Sequence, residues 1–213
     1  MASASNMQKL FAGDGKVHSR NSDSIVTVNW NPSNYKKIIK VLDGMIDKTT
    51  VRKIIDRSAK RAADAGVTAT KREIAADTTL KPAQIAKSAK RYVHGSSLSA
   101  AIGLIISDTA RPLSDFEFTP KKPTPKTTPI IEIYKGKKAK LSKGAFVQKM
   151  PTGHIGIYER DGENALPISQ LPGPSVTGLF KANERANTLV QDVIWDTLEK
   201  RIEHELDLIL SGK

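Results

Sequence analysis

The chain has no cysteine among its 213 residues. That absence removes disulfides, thiolate zinc sites and cysteine nucleophiles together, and it fits a protein made and used in a reducing cytoplasm. Aromatic residues are scarce at 5%, and hydrophobic residues make up only 38%. Such values suit a small core with polar arms, or apolar surface that is covered only on assembly. The longest apolar run, Leu98 to Ile106, is too short to span a bilayer, so no membrane partner is expected. The opening residues MASASNMQKLFAGDGKVHSRNSDS lack the apolar core of a signal peptide, and secretion is not expected. His18, His94, His154 and His204 are scattered, with no two at the spacing of a helical zinc site. Asp115, Glu117, Glu159 and Asp161 are candidate acid–base groups, but nothing in their positions brings two together in a dry cleft. No catalytic residue, metal or cofactor is therefore expected.

Positive charge is abundant but uneven. The net charge is +12, yet residues 151–213 hold 6 Lys and Arg against 10 Asp and Glu, while residues 1–150 hold 28 against 12. The basic part suits nucleic acid, and the acidic part suits a basic neighbour in an assembly. Within the basic part, Lys135, Lys137, Lys138, Lys140 and Lys143 lie in a stretch with no aromatic residue between Tyr134 and Phe146. That pattern suits charge contact with phosphates, independent of base sequence, or an ordinary solvated hairpin tip. A second basic set, Arg52, Lys53, Arg57, Lys60 and Arg61, is interrupted by Asp56 and Asp64, as i,i+4 pairing on an exposed helix would be.

The length allows one substantial core or one domain with extensions. Residues 1–24 are small, polar and unpatterned, and read as a flexible N-terminal arm. Ser24 to Trp30 alternates as a strand, and Asn31 with Pro32 opens a helix running to about Gly44. A longer helix is expected from Thr49 to about Ala76, its broad face carrying Val51, Ile54, Ile55, Ala59, Ala62, Ala63 and Ala65 to Val67, with Gly66 and Thr68 weakening it locally and the small residues of that face allowing close approach. Pro82 at the first helical position, with Gln84 placed as in a capping box, predicts a short helix ending near Ala89. Tyr92 to His94 and Ser99 to Ser107 read as strands, the second apolar enough to be central in a sheet. Five of the eleven prolines fall at 112, 120, 123, 125 and 129, predicting an extended connection over 111–129 without a core of its own. Pro129 to Lys135 and Gly144 to Met150 resume strand character. From Pro174 or a little later a long C-terminal helix is expected, with Val190, Ile194, Leu198, Ile202, Leu206 and Ile209 as its apolar stripe. The whole reads as α+β: a mainly antiparallel sheet packed by a long helix, with a core over 25–173 and the C-terminal helix over 174–213.

Between Lys143 and Phe180 the chain runs KGAFVQKMPTGHIGIYERDGENALPISQLPGPSVTGLF, short strands between Gly- and Pro-rich turns. Pro151 and Gly153 can close one hairpin, and Asp161-Gly162 has the chemistry for another. Its serines have no G-x-S-x-G context. The set Gly144 and Phe146, then Met150, Pro151, Gly153 and His154 with Gly156, then Leu166, Pro167 and Ile168, then Gly173, Pro174 and Ser175 ending at Phe180, resembles the signature of the prophage minor tail protein Z family. Upstream, Arg111, Pro112, Leu113 and Phe116 are similar to that family's central motif, and the resemblance runs from about Ile25 to the C-terminus. Ala165 and Pro172 stand where the family tends to have a basic and an aromatic residue. The resemblance implies a structural virion protein, a tail-completion protein of long-tailed phages. It would form a ring, expected to be hexameric, that joins the tail tube or tail terminator protein to the head connector proteins. Packaged DNA would pass through its lumen. A DNA-binding protein that ignores base sequence and is not built into a tail is the alternative reading.

Overall fold

The computed structural model describes residues 15–20, 23–29, 47–96, 99–124 and 127–211. The helix expected after Pro32, and the first part of the expected N-terminal arm, lie outside them. The fold is α+β, with antiparallel pairing in every sheet. The chain divides into two compact units, one of Met1–Thr70, Ala89–Ser107 and Asn183–Lys213, the other of Lys71–Ser88 and Asp108–Ala182. This differs from the expected division into arm, core and C-terminal helix.

In the first unit, strands β1 (Gly15–Arg20), β2 (Asp23–Asn29), β3 (Ala89–Ser96) and β4 (Ser99–Ile106) form a sheet in the order β1-β2-β4-β3. Strand β4 is central, as its apolar run predicts. The arm expected over 1–24 is corrected from Gly15 onward: β1 pairs with β2 along its whole length, Gly15 opposite Val28 and Arg20 opposite Asp23. Its polar composition hid a strand whose hydrogen bonds come from its neighbour, so local propensity carries little of the signal.

Helix α1 (Lys48–Asp77) begins where Asp47 caps it, with Oδ1 accepting the N–H groups of Thr49 and Thr50 at 2.9 Å each. Bonding from the Thr50 hydroxyl first, and from these backbone groups, holds the Asp47 carboxyl below its usual range. Val51, Ile54, Ile55, Ala59, Ala62 and Ala63 of the face its periodicity predicts are buried, while Ala65 and Val67 are half-buried. The expected single C-terminal helix is corrected to two, α3 (Val176–Lys181) and α4 (Glu184–Leu210). The break has a local cause, because the Asn183 side chain accepts the Ala186 N–H at 2.9 Å and starts α4 afresh. Likewise Ser175, not Pro174, caps α3 by accepting the Gly178 N–H at 3.0 Å.

Val190, Ile194, Leu198 and Ile202 on α4 are buried, and α4 packs on β2 and β4. Glu199, half-buried on the same helix, has its carboxyl pushed up by burial, with Glu203 and Asp196 adding repulsion and Lys200 opposing them. A raised folded-state pKa means that the folded chain binds this proton more readily than the unfolded chain. Stability is therefore lost as pH rises past the ordinary carboxylate range. Glu199→Gln is expected to raise the melting temperature at neutral pH, with the gain vanishing in acid below that range. Thermal melts across pH check this.

The second unit holds α2 (Pro82–Ser88), α3 and three small sheets. These are β5 (Arg111–Pro112) with β12 (Pro172–Gly173); β6 (Glu117–Thr119), β7 (Ile130–Glu132) and β8 (Lys138–Lys140); and β9 (Phe146–Lys149), β10 (Ile155–Arg160) and β11 (Ile168–Gln170) in the order β11-β10-β9. Helix α2 starts as predicted, with Gln84 Oε1 accepting the Lys81 N–H at 3.1 Å. The segment expected to be coreless over 111–129 is corrected in its first half. Leu113, Phe116 and Phe118 are buried, and β5, a 3₁₀ turn at Leu113–Asp115 and β6 occupy it. Prolines are compatible with such short edge pairings, because an edge strand leaves one row of N–H positions unused.

Candidate functional site

The residues whose pattern implies, by resemblance, a tail-protein signature all lie in the continuous segment Asp108–Ala182 of the second unit. The first hairpin is as predicted: β9 and β10 pair with Lys149 opposite Ile155, and Met150 N–H donates to His154 O at 2.8 Å across the turn. Gly153 sits in that turn at φ 85° with open space around it. A β-branched side chain there meets backbone strain rather than a clash, so Gly153→Val is expected to destabilise by about 1–2 kcal/mol in denaturant melts.

The second turn is corrected. Positive φ falls at Gly136 and Gly153 among the described glycines, not at Gly162. Arg160 pairs with Ile168, so 161–167 is a seven-residue loop that has no need of a two-residue hairpin turn. Leu166 stands 71% exposed in it.

Strand β12 closes the cluster. Pro172 lies opposite Pro112 and Gly173 opposite Arg111, while Leu113 N–H donates to Leu171 O at 3.0 Å and Leu171 N–H donates to Ile157 O at 2.9 Å. The Leu171 backbone thus ties the central motif to β10. Gly173 is needed for close approach, since a Cβ there would lie 3.0 Å from both Leu113 Cδ2 and Phe116 Cε2. Phe180 is buried on α3, and Pro174 and Ser175 lead into that helix. Gly144 faces Glu159, Phe146 meets Tyr158 with ring centroids 6.5 Å apart, and Tyr158 covers Gly156.

At the centre lies a residue whose structural role the sequence reading missed. Arg111, its side chain 13% exposed, donates from Nε to Asp108 Oδ2 at 2.7 Å and from Nη1 to Asp115 Oδ2 at 3.0 Å. Its Nη2 donates to Gln84 O and to Ser88 Oγ, each at 2.9 Å. One guanidinium fork therefore joins α2, the strand β5 and the 3₁₀ turn. Asp108 Oδ2 also accepts the Val176 N–H at 3.4 Å, which brings in α3. Carboxylates three residues before and four after a single arginine were the available signal.

The five lysines do not act alike. Lys135 serves as a helix cap: its Nζ donates to Ala75 O at 2.7 Å and its N–H to Asp77 O at 3.0 Å, satisfying the end of α1. Lys137 lies 5.9 Å from the centroid of Tyr134. Lys138 and Lys140 stand two apart on β8, an exposed edge strand, so both point to one side. Lysines on an open edge also discourage unwanted strand pairing. Lys143 lines a cleft of about 500 Å³ with Thr127, Thr128, Phe146 and Arg160, whose guanidinium lies 5.2 Å over the Phe146 ring.

The candidate carboxylates have separate partners. Asp115 meets Arg111, Glu117 meets Lys121 Nζ at 2.9 Å, and Glu159 and Asp161 accept the hydroxyls of Ser142 and Ser169 at 2.8 Å each. The His154 ring lies 3.3 Å from the Gln170 amide. Among the described residues no group of three or more His, Asp or Glu could hold a metal, and no helix is long and apolar enough to cross a membrane. Comparison with models of known families, with curated proteins and with solved structures found no match.

Proposed function

We propose that this protein is a structural virion subunit that completes the head-proximal end of a phage tail. As one member of a closed ring, expected to be hexameric, it would stand between the tail tube or tail terminator protein and the head connector proteins, around the path of the DNA. The observation that carries this reading is the convergence of separated motif residues: the central motif, the β9–β10 hairpin and the Gly173–Phe180 stretch interlock through Leu171, Gly173 and Arg111. In this role the protein works by shape at its ring faces and by weak, reversible contact with passing phosphates, and needs no reaction chemistry. Exposed lysines on mobile stems suit DNA that must leave better than a rigid fork of arginines does.

The second reading, a DNA-binding protein that ignores base sequence and stands outside any tail, draws on the exposed Lys138 and Lys140. Imaging and mass measurement of the protein within purified particles separate the two. A closed ring at the neck is expected. A single copy per particle, or none, overturns the tail reading.

A further inference from the structure

We infer that the exposed face of α1 is a surface for the phosphate backbone of duplex DNA, with Arg52, Lys53, Lys60 and Arg61 as the contacting groups. This deepens the functional reading and rests on one part of it, that the protein meets DNA; it does not require the tail. Among the described side chains, positions 49, 52, 53, 56, 57, 60, 61, 64 and 68 are the exposed ones in the first six turns of the helix, and every one is polar or charged. The sequence pattern suggested that the cations there pair along the helix with Asp56 and Asp64. The structure places the ion pairs elsewhere. Asp64 is bonded to Arg91 of β3 at 3.2 Å, and Arg57 is bonded to Glu205 of α4 at 3.5 Å, with its Nε also donating to Lys53 O. Arg52, Lys53, Lys60 and Arg61 have no carboxylate within ion-pair distance among the described residues.

Asp56 is the one acid on the face that those pairs leave, so four free cations stand against a single carboxylate. From Arg52 to Arg61 the helix rises by about 13 Å, close to four base-pair steps of duplex at about 3.4 Å each. Two clusters, Arg52 with Lys53 and Lys60 with Arg61, therefore sit at opposite ends of a stretch that spans several phosphates. The chemistry of the face selects the partner. A protein partner anchors on buried apolar or aromatic side chains at the centre of its patch, and this face has none. A membrane-surface helix needs an apolar side to insert, and the apolar side of α1 is buried. A polyanion bound by charge alone asks for neither.

The test uses the purified full chain and a short labelled duplex of arbitrary sequence, with affinity measured by fluorescence anisotropy over a salt series. Arg52→Gln, Lys53→Gln, Lys60→Gln and Arg61→Gln are combined in one variant, leaving the paired Arg57 in place. Binding is expected to weaken by about tenfold or more, and the slope of log affinity against log salt to become shallower by about 3. The melting temperature is expected to be unchanged, since all four side chains are exposed; the milder pair Lys53→Gln and Lys60→Gln, expected to lose about half that slope, serves if the full variant folds poorly. A loop variant, Lys137→Gln, Lys138→Gln, Lys140→Gln and Lys143→Gln, runs beside it. If the loop variant loses binding and the helix variant binds like the parent, the inference fails and DNA contact belongs to the loop. If the parent binds no duplex, the inference fails while the ring seen in particles is judged separately. Helix-dependent binding to phosphatidylserine vesicles or to polyglutamate, with no binding to duplex, also overturns it.

Discussion

Arg111→Met is expected to destabilise the protein by about 3 kcal/mol, because it strands two carboxylates, a carbonyl and a hydroxyl that one guanidinium now satisfies. Removing one partner of a buried pair leaves the other charge uncompensated, at about 3–5 kcal/mol. The lower end applies here, since Asp108 and Asp115 keep 16% and 23% of their side-chain surface in contact with water. Lysine at 111 restores the charge but not the fork, so it is expected to recover part of the loss. Combining Arg111→Met with Asp108→Asn and Asp115→Asn removes the stranded charges, and is expected to recover more. Urea unfolding of the four proteins checks the order. If Arg111→Met unfolds like the parent, the fork does not hold the motif cluster together.

Gly66→Leu tests the other unit and opposes two principles. Helix propensity alone favours leucine over glycine by up to about 1 kcal/mol at an interior position. Packing says the reverse. A Cβ at Gly66 would lie 2.7 Å from Ile194 Cγ1 and 3.2 Å from Leu104 Cδ2, and both of those side chains are fully buried. Overpacking of this kind costs about 1–3 kcal/mol even for modest insertions, so the net expectation is a loss of about 2 kcal/mol. Adding Ile194→Ala to make room is expected to restore part of it, giving a coupling energy above about 0.5 kcal/mol in a double-mutant cycle. A stabilised Gly66→Leu protein would mean that α4 does not press on α1 at this point.

Elements whose signals are local were legible in the sequence. The long helix, its buried face, the capped start at Pro82, the central strand β4 and the hairpin around Gly153 all rest on periodicity, caps and turn residues within a few positions of one another. Features that rest on distant partners were not. Strand β1 draws its hydrogen bonds from β2, and Lys135 caps a helix whose last carbonyls lie some sixty residues earlier. Arg111 finds Gln84 and Ser88 in the same way. Asn183, by contrast, is a local cap, but the apolar stripe that follows it gives no sign of the break.

The candidate surfaces divide along the same line. Sequence alone determined how many cations each segment holds and that neither segment offers aromatic stacking, because composition and spacing are properties of the chain. Only the tertiary structure decided which of those cations are free. An ion pair is a statement about distance, and Arg91, Glu205 and the end of α1 reach Asp64, Arg57 and Lys135 only once the chain has folded.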